Sequence, residues 1–163
     1  MNLAYLSLGS NIQPELNLPR AVSLLVLVGE VLRASRAYET APIGSKAQPN
    51  FLNAAVLLAT ALGTEEVMGQ LAAIERELKR ERTADKDAPR TMDIDLSLFN
   101  REVLALGESR IPDPAILVRA HVAVPLADLD PDYLHPVTGE SLAFIAARLS
   151  AGAPLKVRED VRL

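Results

Sequence analysis

The chain has 163 residues, of which 49% are hydrophobic and 23% charged, which suits one globular domain over residues 1–163 with a substantial core. Its net charge of −4 argues against a general binder of nucleic acid or membrane surfaces, since such proteins carry an excess of positive charge. The absence of cysteine excludes disulfides, zinc–thiolate sites and thiol nucleophiles.

No signal peptide is evident at the N-terminus, which lacks a basic segment followed by a long apolar run. The apolar run over residues 24–28 is far too short to span a bilayer. We therefore expect a cytoplasmic protein that binds neither membranes nor nucleic acid, and we expect it to be a monomer.

The first half of the chain alternates between strand-like and helix-like patterns. A buried strand over 3–8 is predicted to end in the turn Gly9-Ser10-Asn11, whose residues tolerate tight backbone geometry. The helix that follows, over 16–28, should begin near Leu18 because Pro19 is acceptable only in a first turn. Strands over 30–39 and 51–60 flank a proline-containing loop at 40–49, and a helix begins at Thr64.

An asparagine near the start of the apolar strand 51–60 is conspicuous. A buried amide needs hydrogen-bond partners, so Asn53 either bonds to the backbone or recognises a ligand. Phe51 lies on the same face, because side chains two apart in a strand point the same way. Glu75 of the next helix has two possible interpretations: it is a functional acid, or it is an ordinary helix acid paired with Lys79 at i+4.

The segment that leads into the next strand carries five cations and then two acids. Asp93 and Asp95 should lie on one face of that strand, with Cα atoms roughly 6.5 Å apart at about 3.3 Å rise per residue. Residues 94, 96 and 98 are apolar and are predicted to share the opposite face. Mg²⁺ prefers carboxylate oxygens and leaves positions open for phosphate, so the pair predicts a phosphate-handling metal site. The cations are Lys79, Arg80, Arg82, Lys86 and Arg90.

Shorter elements complete the chain. Asn100-Arg101 reads as a turn, and residues 102–104 as a short strand returning from it. Pro114 should begin a helix, and a further short helix is expected over 142–149. No structure is predicted for residues 154–163.

The run Lys86-x-Ala88-Pro89-Arg90-x-x-Asp93-Ile94-Asp95-Leu96 resembles the signature of the 6-hydroxymethyl-7,8-dihydropterin pyrophosphokinases. Other segments similar to that family occur in order from residue 4 to about residue 145. The element order likewise resembles a ferredoxin-like α+β sandwich, a mostly antiparallel sheet with helices packed on it. The resemblance implies transfer of pyrophosphate from ATP to the pterin alcohol in folate biosynthesis.

The resemblance also implies a role for individual residues. Catalysis would fall to Arg80, Arg90, Asp93 and Asp95, with the two aspartates holding two Mg²⁺ ions. Pterin would contact Thr40, Pro42, Ile43, Phe51, Asn53 and His121. ATP would contact Glu75, Arg82, Leu96, Ile111, Asp113 and Arg119.

The sequence departs from the family pattern in four places, one of which is a pair of residues. Asp87 and Ala88 stand where a Trp-Gly pair is common, and Asp113 replaces the histidine of Ile-Pro-His. His121 replaces a phenylalanine that stacks on the pterin, and Ser97 replaces an aliphatic residue. These changes predict weaker binding of pterin or ATP with the phosphate chemistry kept.

Two other functions fit parts of the pattern. A nucleotidyltransferase with a palm-like ferredoxin core would use the same acid pair, although the acidic balance argues against a nucleic-acid substrate. A non-catalytic ligand-binding or regulatory module could retain the fold but bind the nucleotide less tightly because of Asp87 and Asp113.

Overall fold

A mostly antiparallel sheet organises the chain in a computed structural model that describes residues 1–43, 47–79, 89–152 and 154–163. Its order is β5-β1-β4-β3-β8, with β2 also paired to β4, and β6 and β7 form a separate hairpin. The strands are β1 (Asn2–Ser10), β2 (Glu30–Ala34), β3 (Tyr38–Thr40), β4 (Phe51–Thr60), β5 (Asp93–Phe99), β6 (Leu104–Leu106), β7 (Ser109–Ile111) and β8 (Lys156–Val157). The helices are α1 (Pro14–Leu24), α2 (Thr64–Glu77), α3 (Ala120–Leu129) and α4 (Leu142–Ser150), with 3-10 turns at Leu25–Leu27 and Pro114–Leu117.

Each face of the sheet has its own hydrophobic core. Helices α1 and α2 pack on the first face, where Leu6 and Leu8 of β1 point. Helices α3 and α4 pack on the second face, against Tyr5 of β1 and Leu57 of β4. Strand alternation explains the division, since neighbouring residues of one strand point to opposite faces. The predicted α+β sandwich, ferredoxin-like in class, is confirmed.

Helix α3 leaves one end of the second face uncovered. Apart from Phe51, the uncovered end carries small or polar side chains, whereas the covered end carries mostly large apolar ones. This change of side-chain size along β1, β4 and β5 opens a cavity beside the N-terminus of α3. The sheet residues on that floor are Ser7, Gly9, Phe51, Asn53, Asp93 and Asp95.

A β-bulge interrupts β5 just beyond the acid pair. Tyr5 is opposite Leu98 but Leu6 is opposite Leu96, so Ser97 is an extra residue on β5. The extra residue reverses the alternation, and Leu98 therefore packs into the second core. The prediction that it shares a face with Ile94 and Leu96 is wrong for this reason.

Three other predicted elements differ in detail. The strand expected over 30–39 divides into β2 and β3. Between these two strands, Ser35 N donates to the Ala55 carbonyl, and Ser35 Oγ accepts from Ala55 N in place of a backbone carbonyl. Helix α1 begins at Pro14 and includes Pro19 in its interior. Pro19 has no N–H to donate to the carbonyl of Glu15, four residues earlier. Glu15 is an exposed residue, so water can take the place of that donor. Strand β6 pairs with β7 rather than returning along β5.

The C-terminal residues, for which no structure was predicted, complete the sheet. Strand β8 pairs with β3, and Val161 is buried in the first core. Among the described residues, none of the helices combines the length and the apolar character that a bilayer crossing requires.

Candidate active site

The centre of the candidate site is formed where β1 lies between β4 and β5. Gly9 is opposite Asn53 on one side and Asp93 on the other, and Ser7 is opposite Asp95. A Cβ atom on Gly9 would lie 3.5 Å from Asn53 Oδ1. Because glycine has no side chain, it leaves space above β1 at this point. The strand register therefore brings the amide and both carboxylates to one patch.

A cavity of about 160 Å³ lies above this floor. Thr40, Ile43, Phe51, Asn53 and His121, all assigned to the pterin by resemblance, line it. Pro42 does not line it and lies, half-buried, between two residues that do. The structure thus brings five of the six residues together around one space.

The Asn53 amide is held by strand β3. Its Nδ2 donates to Thr40 Oγ1 at 2.8 Å and to the Tyr38 carbonyl at 3.4 Å. The side chain is 5% exposed and still faces the cavity. Both readings of Asn53 are therefore compatible with the structure, because a side chain held by β3 also borders the ligand space.

A larger groove of about 920 Å³ follows the outer edge of β5. Helix α2 forms one wall, and the β7 hairpin strand with the 3-10 turn after it forms the other. Within the described residues, every residue assigned to ATP by resemblance lines this groove; Arg80 and Arg82 lie outside those residues. The lining members are Glu75, Leu96, Ile111, Asp113 and Arg119.

Arg90, Asp93 and Asp95 line both the cavity and the groove. Arg90 forms an ion pair with Asp93, and its guanidinium carbon lies 5.9 Å from the centre of the Phe51 ring. An arginine here can hold anionic oxygens on one side and border a flat ring on the other. The acid pair therefore lies at the junction of the two spaces.

Glu75 is 3% exposed and reaches from α2 to the edge strand. Its Oε1 accepts a hydrogen bond of 2.8 Å from the backbone N–H of Ile94, the residue between the two aspartates. Edge strands leave such N–H groups without a strand partner. The described contacts thus give Glu75 a role in holding the acid-pair strand as well as a place in the groove.

Asp113 fits its position through the backbone. Its Oδ1 accepts from Ala115 N at 2.9 Å and caps the 3-10 turn, and its own N–H donates to the Ser97 carbonyl at 2.9 Å. Burial raises the pKa of this carboxyl, and the nearby charge of Asp93 raises it further. An aspartate can cap this turn through its side chain, which an imidazole would do less readily.

His121 lies in the first turn of α3, against the cavity. Burial lowers the pKa of its imidazole below the ordinary value, and the neighbouring Arg119 charge lowers it further. The ring is therefore neutral at pH 7 and can act as a flat partner for another ring.

Asn11 belongs to the predicted Gly-Ser-Asn turn, which by resemblance to the family borders the pterin pocket, and it connects the two segments that enter the site. Its Oδ1 accepts from Arg90 N at 2.9 Å, and its N–H donates to the Arg90 carbonyl at 3.1 Å. Its Nδ2 donates to Gln48 Oε1 at 2.9 Å and to the Pro49 carbonyl at 3.2 Å. The Gly-Ser-Asn turn was the sequence signal, whereas nothing in the sequence pointed to Gln48 as its partner.

The donor set fits a metal that is shared with a phosphate ligand. Two carboxylates line one patch, and the described residues contain no group of three or more His, Asp or Glu that could hold an ion alone. Mg²⁺ in phosphate-transfer sites is bound by one or two carboxylates together with substrate phosphates and water. The pair suits such an open site.

A ferredoxin-like α+β sheet with paired aspartates between a small cavity and a long groove is typical of enzymes that transfer phosphate groups. The profile of the family "7,8-dihydro-6-hydroxymethylpterin-pyrophosphokinase (HPPK)" matches residues 5–131, and the chain belongs to that family.

Relatives with known names agree with this assignment. The 2-amino-4-hydroxy-6-hydroxymethyldihydropteridine pyrophosphokinase of Bacillus subtilis is 40% identical over 131 residues, which are 78% of each chain. The protein of the same name from Synechocystis is 34% identical over 163 residues, covering 98% of this chain and 83% of that one. The folic acid synthesis protein fol1 of Pneumocystis carinii is 38% identical over 141 residues, but the match spans only 19% of its length.

Solved structures share the fold. Plasmodium falciparum HPPK-DHPS A437G with STZ-DHP has a TM-score of 0.75 at 16% identity, over 98% of this chain and 48% of that chain. The wild-type form with pteroate has a TM-score of 0.73 over 92% of this chain and 42% of that chain. This chain therefore spans less than half of those Plasmodium chains.

Proposed function

We propose that this protein transfers pyrophosphate from ATP to 6-hydroxymethyl-7,8-dihydropterin, giving AMP and the pterin pyrophosphate in folate biosynthesis. Membership of the pyrophosphokinase family supports the reaction. The observation that carries the proposal is the position of Arg90, Asp93 and Asp95, which line both the cavity and the groove. Two substrates bound in those spaces would meet at these three side chains.

The pterin would bind in the cavity. Phe51 and His121 supply flat rings for stacking, and neutral imidazole suits this role better than its charged form. Asn53 and the backbone of residues 40–43 would recognise the polar edge of the pterin. Pro42 would act through that backbone, because its side chain does not line the cavity.

The nucleotide would bind in the groove along β5. Arg90 and Arg119 would hold the phosphates, since guanidinium groups match phosphate oxygens in shape and charge. Glu75, Leu96, Ile111 and Asp113 would line the remainder. Arg80 and Arg82 keep their proposed phosphate-binding roles and lie outside the described residues.

Asp93 and Asp95 would hold two Mg²⁺ ions, which supply charge neutralisation at the triphosphate when they are bound. Transfer would be direct: a bond forms between the pterin hydroxyl oxygen and the β-phosphorus. The bond from that phosphorus to the oxygen of the leaving AMP breaks, and the hydroxyl proton passes to solvent. Arg90 and Arg119 would stabilise the charge that develops on the transferred group.

AMP release tests this function. Purified protein is given ATP and Mg²⁺ with and without 6-hydroxymethyl-7,8-dihydropterin, and AMP and ADP are measured. Pterin-dependent AMP without ADP is expected. ATP binding with no AMP would instead favour the non-catalytic module, and binding to DNA at low salt would favour the nucleotidyltransferase.

We also propose that the protein acts as a cytoplasmic monomer that binds no membrane or nucleic acid. The net charge of −4 supports the expectation that nucleic acid and membranes are not bound, and the absence of cysteine suits the cytoplasm. Light scattering coupled to gel filtration tests the oligomeric state, and a dimer mass would contradict it.

A further inference from the structure

The C-terminal tail, residues 154–163, is joined to the strand that borders the cavity. Val157 of β8 is opposite Tyr38 of β3, and Lys156 is opposite Glu39. Beyond the strand, Arg158 N donates to the Ala37 carbonyl at 2.9 Å. Strand β3, only three residues long, thus has a hydrogen-bonded neighbour on each side.

The position of β3 determines how the Asn53 amide is presented. Asn53 Nδ2 donates to Thr40 Oγ1 at 2.8 Å and to the Tyr38 carbonyl at 3.4 Å, and both acceptors belong to β3. Thr40 and Asn53 both line the cavity. A displacement of β3 would therefore reorient both of these cavity-lining polar groups.

Glu39 is the side chain through which the tail reaches the cavity wall. Its Oε2 lies 3.3 Å from Lys156 Nζ and 3.5 Å from Arg158 Nη1. Its Oε1 accepts from Asn50 Nδ2 at 3.0 Å, and Asn50 directly precedes Phe51. One carboxylate thus connects the tail to the beginning of β4.

Within this network the Glu39–Arg158 pair is partly shielded from solvent, whereas the Lys156 side chain is 73% exposed. The Glu39 and Arg158 side chains are 20% and 21% exposed, so solvent screens them less than fully exposed charges. Arg158 is further held by Glu15 of α1 at 3.2 Å and by Asp160 at 2.7 Å. Its guanidinium is therefore fixed from three sides.

We infer that Arg158 and Lys156 are positioning residues for the pterin cavity, acting through Glu39 on Asn53 and Phe51. The inference rests on the proposed function and extends it to a segment beyond residues 5–131, where the family profile matches. Neither cation lines the cavity, so the effect should appear in pterin affinity rather than in the chemical step.

Point variants test this better than truncation, because Val161 and Leu163 also pack in the first core. Arg158→Gln removes the charge but keeps most of the side chain. Glu39→Gln keeps an oxygen acceptor for Asn50 while losing its attraction to both cations. Arg148→Gln is the matched control, since Arg148 of α4 forms an ion pair with Glu140 at 3.5 Å and lines neither the cavity nor the groove.

Steady-state kinetics with each substrate varied, together with calorimetric pterin binding, gives the readout. Arg158→Gln should raise the KM and Kd for pterin about fivefold, as for a partly screened ion pair, with kcat and the KM for ATP within about twofold. Glu39→Gln should give a similar change, the double variant should add little, and Arg158→Lys should restore most of the affinity. Arg148→Gln should match wild type.

Two results would overturn the inference. An unchanged pterin KM in Arg158→Gln, with a lower melting temperature, would make the tail purely a stabilising element. Equal rises in the KM for pterin and for ATP would show a general distortion of the site. Wild-type protein without pterin-dependent AMP would contradict the proposed function instead, so the two failures are distinguishable.

Discussion

At the residue scale, the proposed chemistry depends on two aspartates, Asp93 and Asp95. Both line the cavity and the groove, and Asp93 is paired with Arg90. The pairing places a cation and two anions within one short segment, so a phosphate can be held by the arginine while the carboxylates hold a metal. The order of these residues in the chain matters less than their shared face.

Replacing either aspartate should remove Mg²⁺-dependent turnover. For Asp93→Asn and Asp95→Asn we expect kcat to fall by at least about 100-fold, because an amide is a poor substitute for an ionised metal ligand. AMP release over a Mg²⁺ titration measures the effect. Asp132→Asn, at an exposed position outside both spaces, is the control. Turnover near wild type in both site variants would contradict the metal assignment.

His121 should make pterin binding sensitive to pH. Burial, with a further effect of the Arg119 charge, lowers its pKa from the ordinary 6.5, so the ring is neutral at pH 7 and becomes charged only in more acidic solution. A charged ring stacks less well and brings a cation into the cavity. The pterin KM should therefore be constant from pH 8 to 7 and rise at lower pH.

The variant His121→Phe provides the comparison for this profile. It should keep activity at pH 7.5, and its rise in pterin KM on acidification should be smaller than that of wild type. Identical profiles in the two proteins would show that another group controls the acid response.

At the scale of elements, strand β5 carries the most consequential irregularity. The bulge at Ser97 lets residues 93–96 present acids to the site while Leu98 packs in the second core. Ser97 Oγ lies 2.6 Å from Ser7 Oγ, and the Ser97 carbonyl accepts from Asp113 N at 2.9 Å. One extra residue thus joins the acid-pair strand to both the cavity floor and the groove wall.

Removing the Ser97 hydroxyl should weaken this junction. Ser97→Ala is expected to lower the free energy of unfolding by about 1 kcal/mol, the usual net contribution of a hydrogen bond between neutral groups. Urea titration measures it, with Ser23→Ala as control because Ser23 bonds to the Pro19 carbonyl on an exposed helix face. Equal changes in the free energy of unfolding at the two serines would show that the Ser7–Ser97 hydrogen bond stabilises the fold no more than an exposed one.

Periodicity predicted the elements that are long and regular. Strand β4 was predicted at its observed bounds, and α2 was predicted to begin at Thr64, where it does begin. Periodicity could not predict the bulge at Ser97, because the apolar residues at 94, 96 and 98 fit a regular strand without a bulge. Which face Leu98 occupies is decided by its partner Tyr5 on another strand.

The candidate site was predictable where a residue type matched a required chemistry. Asp93, Asp95 and Asn53 were singled out because their groups need partners or ligands. The roles of Asn11 and Gln48 depend on a contact across 37 positions of sequence, which no local pattern encodes. The tail was missed because β8 has only two residues and gains its structure from β3.

At the scale of the whole molecule, burial of histidine links stability to pH. His135 is 3% exposed, and its Nδ1 accepts from the N–H groups of Val137 and Thr138 at 3.3 Å each. Burial lowers the pKa of the ring, with a smaller opposing effect from Glu140. Protonation of Nδ1 would remove the acceptor that both N–H groups share, so the folded state resists it.

The stability of the fold should therefore fall on mild acidification. The unfolded chain takes up a proton at His135 near pH 6.5, whereas the folded chain does so only at lower pH. The stability that depends on neutral His135 is thus complete above about pH 7.5 and is lost as the pH falls through 6.5 toward the folded-state pKa. The lowered pKa values of Asp128 and Glu39 act in a separate range, below about pH 4.5.

Replacing His135 by asparagine separates this contribution from the others. The Asn Oδ1 can still accept from the loop N–H groups but does not titrate, so His135→Asn should be less stable at pH 8 yet lose less stability between pH 7.5 and 5.5. Urea midpoints across that range measure the slope. His121→Phe, which retains His135, should keep the part of the slope that His135→Asn loses. Parallel slopes in wild type and His135→Asn would assign the acid sensitivity to groups other than this buried ring.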